Sequence, residues 1–381
     1  MYWDKVISYL NKRKDINIIH VENDKYSIKD NILNIIKINK INVQDNNNHI
    51  LLLDFLKIRD IFKSVIFVLK CFIKLNLSFI RVNNDNLDNN IINYYFEDEI
   101  IKSTKGLHLF ENLLFLKSFE NMMNISKKKL DIIYLFENQS WEKILKKSSK
   151  SNSYYGFVHS TVRYWDLRYL SDTESINYDK NFYILNTGNI SKKNLKDNGI
   201  ASEKFIDVES IRFLKYKNIR HEYNKNNNIL IVGDYISSIN YRLLKILNEI
   251  ENKINCKIFF KNHPNKNINF NIFNKNIKEF NKDNLKTEKF DLIICNYPSS
   301  AIIDFYLLNK KIIIFYEKNE LNTSPLFTIK EANYFSNSKE LLNYIEKIDI
   351  LKNNKIDDDF LYLNNNILKW KSFITKFGIY D

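Results

Sequence analysis

The stretch that decides the fold is residues 291–316, "DLIICNYPSSAIIDFYLLNKKIIIFY". It reads as a buried strand, a turn stiffened by proline, a helix and a second buried strand. Upstream, "KIFFKNHPNKN" (257–267) stops a strand in the same way, and these two turns hold two of the chain's three prolines. "NILIVGDY" (228–235) adds a further strand and "SSINYRLLKILNEIENK" (237–253) a helix of apolar periodicity. Continuous apolar strands separated by helices are the pattern of a parallel sheet covered on both faces.

Working outward, the polar and aperiodic "YKNIRHEYNKNNN" (216–228) reads as an interdomain linker. Before it, "KNFYILNTGNISKKNLKDNGI" (180–200) gives a strand, a Thr187-Gly188 turn, and a helix with Ser191 as its expected N-cap and Gly199 as its stop. "INIIHVE" (16–22), "HILLLDF" (49–55) and "LDIIYLF" (130–136) have the apolar density of strands, and "DIFKSVIFVLKCFIKL" (60–75) and "SWEKILKKSSK" (140–150) have helical spacing. The expected architecture is α/β, two Rossmann-like domains with a cleft between them. Residues 1–220 form an acceptor-side domain, 221–350 a nucleotide-sugar-binding domain, and 351–381 a helical segment packing back on the first.

Composition narrows the function classes. The formal net charge is +13, which suits an anionic partner, although the lysines alternate with asparagine and isoleucine along the whole chain. Cys71, Cys256 and Cys295 stand far apart in apolar runs, which favours buried reduced thiols in a cytoplasmic setting over a disulfide framework or a zinc site. No signal peptide is legible, since Asp4 and "NKRKD" interrupt the start. The apolar segment around 61–80 is broken by Lys63, Lys70 and Lys74, so it is either a core helix or one resting on an anionic membrane face.

Ligands of open parallel sheets sit where strands end at their carboxyl edge. Gly233 and Asp234 follow one strand, Lys261, Asn262, His263 and Pro264 the next, and Tyr297, Pro298, Ser299 and Ser300 a third. Pro298 leaves Ser299 or Ser300 to cap the following helix, where either is a plain cap or one wall of a phosphate clamp. His263 is likewise either a loop histidine or the clamp's proton donor.

Here a resemblance enters. "KNHP" followed by "SSAIIDFYLLNKKIIIFY" resembles the His-Pro and Ser-Ser motifs of GT-B glycosyltransferases that use cytidine-nucleotide donors, such as bacterial sialyltransferases. "ENQSWEK", "YYGFVHSTVRYWDLRY", "LNTGNISKKNLKDNGI" and "VESIRFLKY", in that order, resemble a family of bacterial surface-carbohydrate biosynthesis proteins. The likeness spans about half the chain, from Glu137 to Phe327. The chain departs from the pattern in "GDYISS", which lacks a glycine-rich fingerprint, and in Asn262, which stands where a basic residue usually precedes His-Pro.

The resemblance implies an inverting, metal-independent enzyme without a cofactor. It would move a sugar, of nonulosonic (sialic) type, from a CMP-activated donor to a glycan or glycolipid of a surface polysaccharide, at the inner face of the cell membrane. His263 would serve the departing phosphate, Ser299 and Ser300 would hold it, and Lys261 would offset its charge. Glu137, where the strand "IIYLF" gives way to a helix, is the expected base or else a helix-capping acid, and His159 is the second candidate base. Arg163 and Arg168 would fork onto a sugar or acceptor carboxylate, or else form a packed, salt-bridged surface. A CDP-alcohol-dependent polyol-phosphate transferase is the alternative enzyme. A nucleic-acid-binding protein is the alternative of another class, but no nucleic-acid-binding signature interleaves the charge with the aromatics.

Overall fold

In a computed structural model, the structure describes residues 3–10, 16–21, 38, 40–42, 48–77, 106–126, 128–137, 139–149, 151–170, 173–217, 227–269, 277–280, 290–348 and 360–376. Most of the expected linker, residues 218–226, lies outside them. The chain divides into two compact units, one running to Gly156 and the other starting at Phe157.

In the first unit, strands β1 (Asn17–His20) and β2 (Asn48–Leu51) pair in parallel, with His20 opposite Leu51. The expected strand over 49–55 stops at Leu51 because the Asp54 carboxylate accepts the Leu51 amide at 3.1 Å and turns Leu52–Phe55 into a 3-10 helix. Helices Ile58–Leu77 and Gly106–Ile125 follow, then β3 (Asp131–Leu135), helix Ser140–Ser148 and β4 (Ser153–Phe157), within which the division falls. Glu142, buried to 1% exposure, caps the 140–148 helix by accepting the amides of Glu137 (3.0 Å) and Gln139 (3.1 Å).

The second unit opens with β5 (Phe182–Asn186) and β6 (Phe205–Asp207), paired in parallel around helix Asn189–Asp197. The N-cap of that helix is Gly188, not Ser191. Ser191 lies inside the first turn, where its hydroxyl accepts the Val162 amide at 3.1 Å. A Cβ at Gly188 would stand 2.0 Å from the carbonyl oxygen of Phe360, so only glycine lets the returning C-terminal chain pass. That chain is stitched across by Tyr362 N–H to Thr187 O (2.8 Å) and Ser210 N–H to Tyr362 O (2.9 Å). It ends in helix Leu368–Lys376, whose first amides at Lys369 and Trp370 are held by the buried Glu209 carboxylate at 2.8 and 3.0 Å.

The main sheet of this unit is six-stranded, in the order β12-β11-β10-β7-β8-β9. The pairings from β7 (Asn228–Val232) to β8 (Lys257–Lys261) and β10 (Leu292–Asn296), and from β10 to β11 (Ile312–Phe315), are all parallel. Short β9 (Lys278–Glu279) and β12 (Asn333–Phe335) edge it, also in parallel. Counted from β7, this is the doubly wound order 3-2-1-4-5-6, which reverses between β7 and β10. β10 is buried along its whole length, as its unbroken apolar run requires. Helix Ser237–Ile250 covers the sheet with Ile239, Leu243, Leu244, Leu247 and Ile250, a stripe at helical spacing.

The three cysteines are free; Cys295 is buried, whereas Cys71 and Cys256 are half-buried rather than buried as expected. Burial pushes the Cys295 thiol well above its ordinary pKa, with Asp234 and Asp304 adding to the effect, so it is a packing residue. Among the described residues, no helix is long and apolar enough to cross a membrane.

Candidate functional site

The sheet reverses between β7 and β10, and there the crevice outside the carboxyl ends of the strands is the expected ligand site. The loop after β7 is fixed by buried amides. Asn240, at 0% exposure, accepts the Asp234 amide (2.8 Å) and donates to the carbonyls of Asp234 (2.7 Å) and Ile236 (3.1 Å). Its Oδ1 also accepts from Asn296 Nδ2 at 2.7 Å, which ties the end of β7 to the end of β10. Gly233 packs closely there: a Cβ would meet the Lys261 carbonyl at 3.0 Å, so that strand would have to give slightly, and the Gly233 amide already bonds to the same carbonyl at 2.8 Å.

After β10 the chain turns at Tyr297-Pro298, and Ser300 becomes the N-cap of helix Ala301–Leu307 without any side-chain capping bond. Ser299 is buried, and its amide closes the turn on Asn296 O at 3.0 Å. Tyr297 is held by its hydroxyl to Glu320, and Glu320 with Glu317 grips Arg242 at 2.9 and 2.6 Å. Burial and the Glu320 contact hold the Tyr297 phenol above its ordinary pKa, while the bond from Tyr297 and then Arg242 hold the Glu320 carboxyl below the usual range.

Beside this turn lies a cavity of about 310 Å³, lined wholly by residues of the second unit. Its polar wall is Ser160, Thr161, Arg163, Asp166, Arg168, Arg212, Ser300 and Thr323, and its apolar wall is Trp165, Phe213, Ile303 and Pro325. Three arginines against one aspartate make it cationic. Arg163 Nη2 donates to Pro298 O at 2.7 Å, locking the turn to the cavity wall. Burial lowers the Arg163 pKa, an effect partly countered by Asp166 and reinforced by Arg168, with Asp234 also countering. An arginine remains charged under such a shift. Arg168 forks onto the buried Asp166 through Nε (2.8 Å) and Nη2 (2.7 Å). The buried hydroxyl of Thr161 has no hydrogen-bond partner among the described residues. The volume lies at the low end for ligand pockets, enough for a sugar or a phosphate rather than a whole nucleotide sugar.

Of the residues singled out in the sequence, Arg163, Arg168 and Ser300 line this one cavity, with Pro298 bonded to Arg163. His159 lies in the segment leading from β4 to the cavity-lining Ser160 and Thr161. His263 is two strands over from β10, at the end of β8 with β7 between them: its Nδ1 accepts the Asn265 amide (3.2 Å) and its ring meets Tyr235 edge-on at 5.8 Å. Lys261 is half-buried at the end of the same strand and Pro264 is exposed in the turn. Asn262 spends its amide within its surroundings, accepting Ile268 N–H at 2.9 Å and donating to Glu279 at 3.3 Å. Glu137 belongs to the first unit, where its carboxylate accepts from Gln139 Nε2 at 3.2 Å and the capping is done by Glu142. Sequence reading missed Arg212, Thr323, Asn240 and Asn296.

No family model matches this chain, and no curated protein matches it. Solved structures do. UDP-GlcNAc 2-epimerase from Methanocaldococcus jannaschii, in complex with UDP-GlcNAc and UDP, is 15% identical over 96% of this chain and 99% of that one, with a TM-score of 0.48. UDP-N-acetylglucosamine 2-epimerase from Rickettsia bellii is 14% identical over 96% of each chain, also at 0.48. UDP-GlcNAc 2-epimerase from Neisseria meningitidis, bound to UDP-GlcNAc, is 10% identical over 96% of this chain and 100% of that one, at 0.47.

Proposed function

We propose that this chain is a glycosyltransferase that takes its sugar from a nucleotide-activated donor and delivers it to a surface glycan. The observation that carries the reading is the cationic cavity walled by Arg163, Arg212 and Ser300 beside the point where the doubly wound sheet reverses. A doubly wound sheet favours a nucleotide at that point, and fixed positive charge there favours a leaving phosphate or an acidic sugar. The finer form of the proposal is a CMP-activated nonulosonic acid. Its carboxylate would meet the cationic wall that Arg163, Arg168 and Arg212 form together.

In the transfer, the acceptor hydroxyl oxygen attacks the anomeric carbon, the bond from that carbon to the phosphate oxygen breaks, and the nucleotide leaves as an anion. His263 donates to the departing phosphate, Ser299 and Ser300 hold it, and Lys261 offsets its charge. Glu137 takes the acceptor proton, with His159 as the second candidate. Stabilising charge on the leaving group is the kind of preorganised electrostatics that lowers a barrier most.

The test is nucleotide release from a panel of CMP-nonulosonate, UDP-GlcNAc and CDP-glycerol, with and without an extracted glycolipid acceptor. Acceptor-dependent release of CMP supports the finer form. Release from UDP-GlcNAc with glycosyl transfer keeps the class and changes the donor, and release from CDP-glycerol alone replaces the proposal with polyol-phosphate transfer. His263→Ala lowers turnover by about two to three orders of magnitude, and undiminished turnover would remove His263 from the reaction.

A further inference from the structure

Helix Ile58–Leu77 of the first unit turns its polar stripe inward. Its buried positions are Asp60 and Ser64, at 5% and 2% exposure. Asp60 accepts from Asn121 Nδ2 of helix Gly106–Ile125 at 2.9 Å, and the Ser64 hydroxyl donates back to Asp60 O at 2.8 Å. The opposite side carries Ile58, Phe62, Ile66, Leu69, Phe72 and Ile73, which are 52% to 73% exposed. At about 100° per residue these fall in one continuous arc, and Arg59, Lys63, Lys70 and Lys74 fill the adjoining arc of roughly 60°. All four cations are exposed.

We propose that this helix docks on an anionic membrane surface. It would lie in the headgroup plane, its apolar arc at the acyl boundary and its cations on the lipid charges. A soluble protein rarely leaves so long an apolar arc in water, and such an arc flanked by lysine and arginine is the pattern of an interfacial helix. Charge decides between a bilayer and a second copy of this chain. The one carboxylate between Ile58 and Leu77, Asp60, is buried, so a second copy packed through the same helix would bring more cations to this face and no exposed carboxylate to answer them. An anionic bilayer answers both the apolar arc and the charge. The inference rests on the first unit alone and stands or falls independently of the reaction proposed above.

The experiment is cosedimentation of the full chain with phosphatidylcholine vesicles, with and without phosphatidylglycerol, beside sedimentation equilibrium in the absence of lipid. The chain is expected to pellet with the anionic vesicles and only weakly with the neutral ones. Lys63→Glu, Lys70→Glu and Lys74→Glu together should weaken that binding by at least about a hundredfold, on the order of fivefold for each lysine lost before the repulsion of the added carboxylates. Phe62→Ser with Ile73→Ser should weaken it too. Both positions are exposed, so an unchanged urea melt would show that the fold survives. Failure of the wild type to pellet, equal binding to neutral vesicles, or indifference to the three charge reversals overturns the proposal. A lipid-free dimer dispersed by the Phe62 and Ile73 changes also overturns it, in favour of self-association.

Discussion

Replacing Asn240 by alanine should cost about 4 kcal/mol of the second unit's stability. The side chain is fully buried and its loss strands the Asp234 amide, the Asp234 carbonyl and Asn296 Nδ2, whose contacts lie between 2.7 and 2.8 Å. Each buried group left unsatisfied costs about 1–3 kcal/mol, and relaxation that rescues one of the three leaves roughly two at about 2 kcal/mol each. Asn240→Asp gives a sharper signature, because it keeps the shape and the two accepted bonds but aims a carboxylate oxygen at the Asp234 and Ile236 carbonyls. Such a carboxyl titrates above its unfolded value, so its folded form gains relative stability at low pH and loses it as pH rises through the raised pKa. Urea melts followed by fluorescence at pH 5 and pH 8 measure both effects. An alanine variant within about 1 kcal/mol of wild type, or an aspartate variant whose deficit does not grow with pH, would refute the claim that this amide fixes the loop after β7 and ties it to the end of β10.

Gly188→Ala places a Cβ 2.0 Å from the Phe360 carbonyl oxygen and should cost about 3 kcal/mol by pushing the C-terminal chain off Thr187 and Ser210; a denaturant melt indistinguishable from wild type would contradict this. In the first unit, His20 Nε2 lies 3.0 Å from His49 Nδ1, and burial first, then His49, holds the His20 pKa below its ordinary 6.5. The folded state therefore binds fewer protons than the unfolded one, so this contribution to stability is present above pH 6.5 and is lost as pH falls through the lowered value. Protection factors of the β1–β2 amides, corrected for the intrinsic slowing of exchange at lower pH, should fall toward pH 5.5, and His20→Asn should remove that fall.

How much was legible depends on where each element finds its partners. β7, β8, β10 and β11 announce themselves because central parallel strands are apolar on both faces, and the carboxyl-edge positions follow from that pattern. β4, "SYYGF", was hidden by its serine, tyrosines and glycine, though every residue in it is buried. The Gly106–Ile125 helix has apolar residues on all sides and so no readable stripe. Asn240 shares the apolar face of its helix with Leu243, Leu244 and Leu247, but its partner Asn296 stands 56 residues on and could not be read from the helix alone. Arg212 and Thr323 reach the cavity only through the tertiary fold. The spacing of Lys63, Lys70 and Lys74 did place them on one face, but that Asp60 turns inward depends on Asn121, 61 residues away.

The central claim, that a nucleotide-activated sugar binds beside the reversal of the main sheet, is tested most directly by thermal unfolding with CMP-nonulosonate and UDP-GlcNAc, wild type against Arg163→Met. At a hundredfold excess over Kd, a ligand of the folded state adds about 2.7 kcal/mol, which for a unit of this size raises Tm by roughly 5–10 °C. The account predicts that rise with at least one nucleotide sugar in the wild type and its loss in the Arg163 variant. No rise with either, or an equal rise in both proteins, would contradict it.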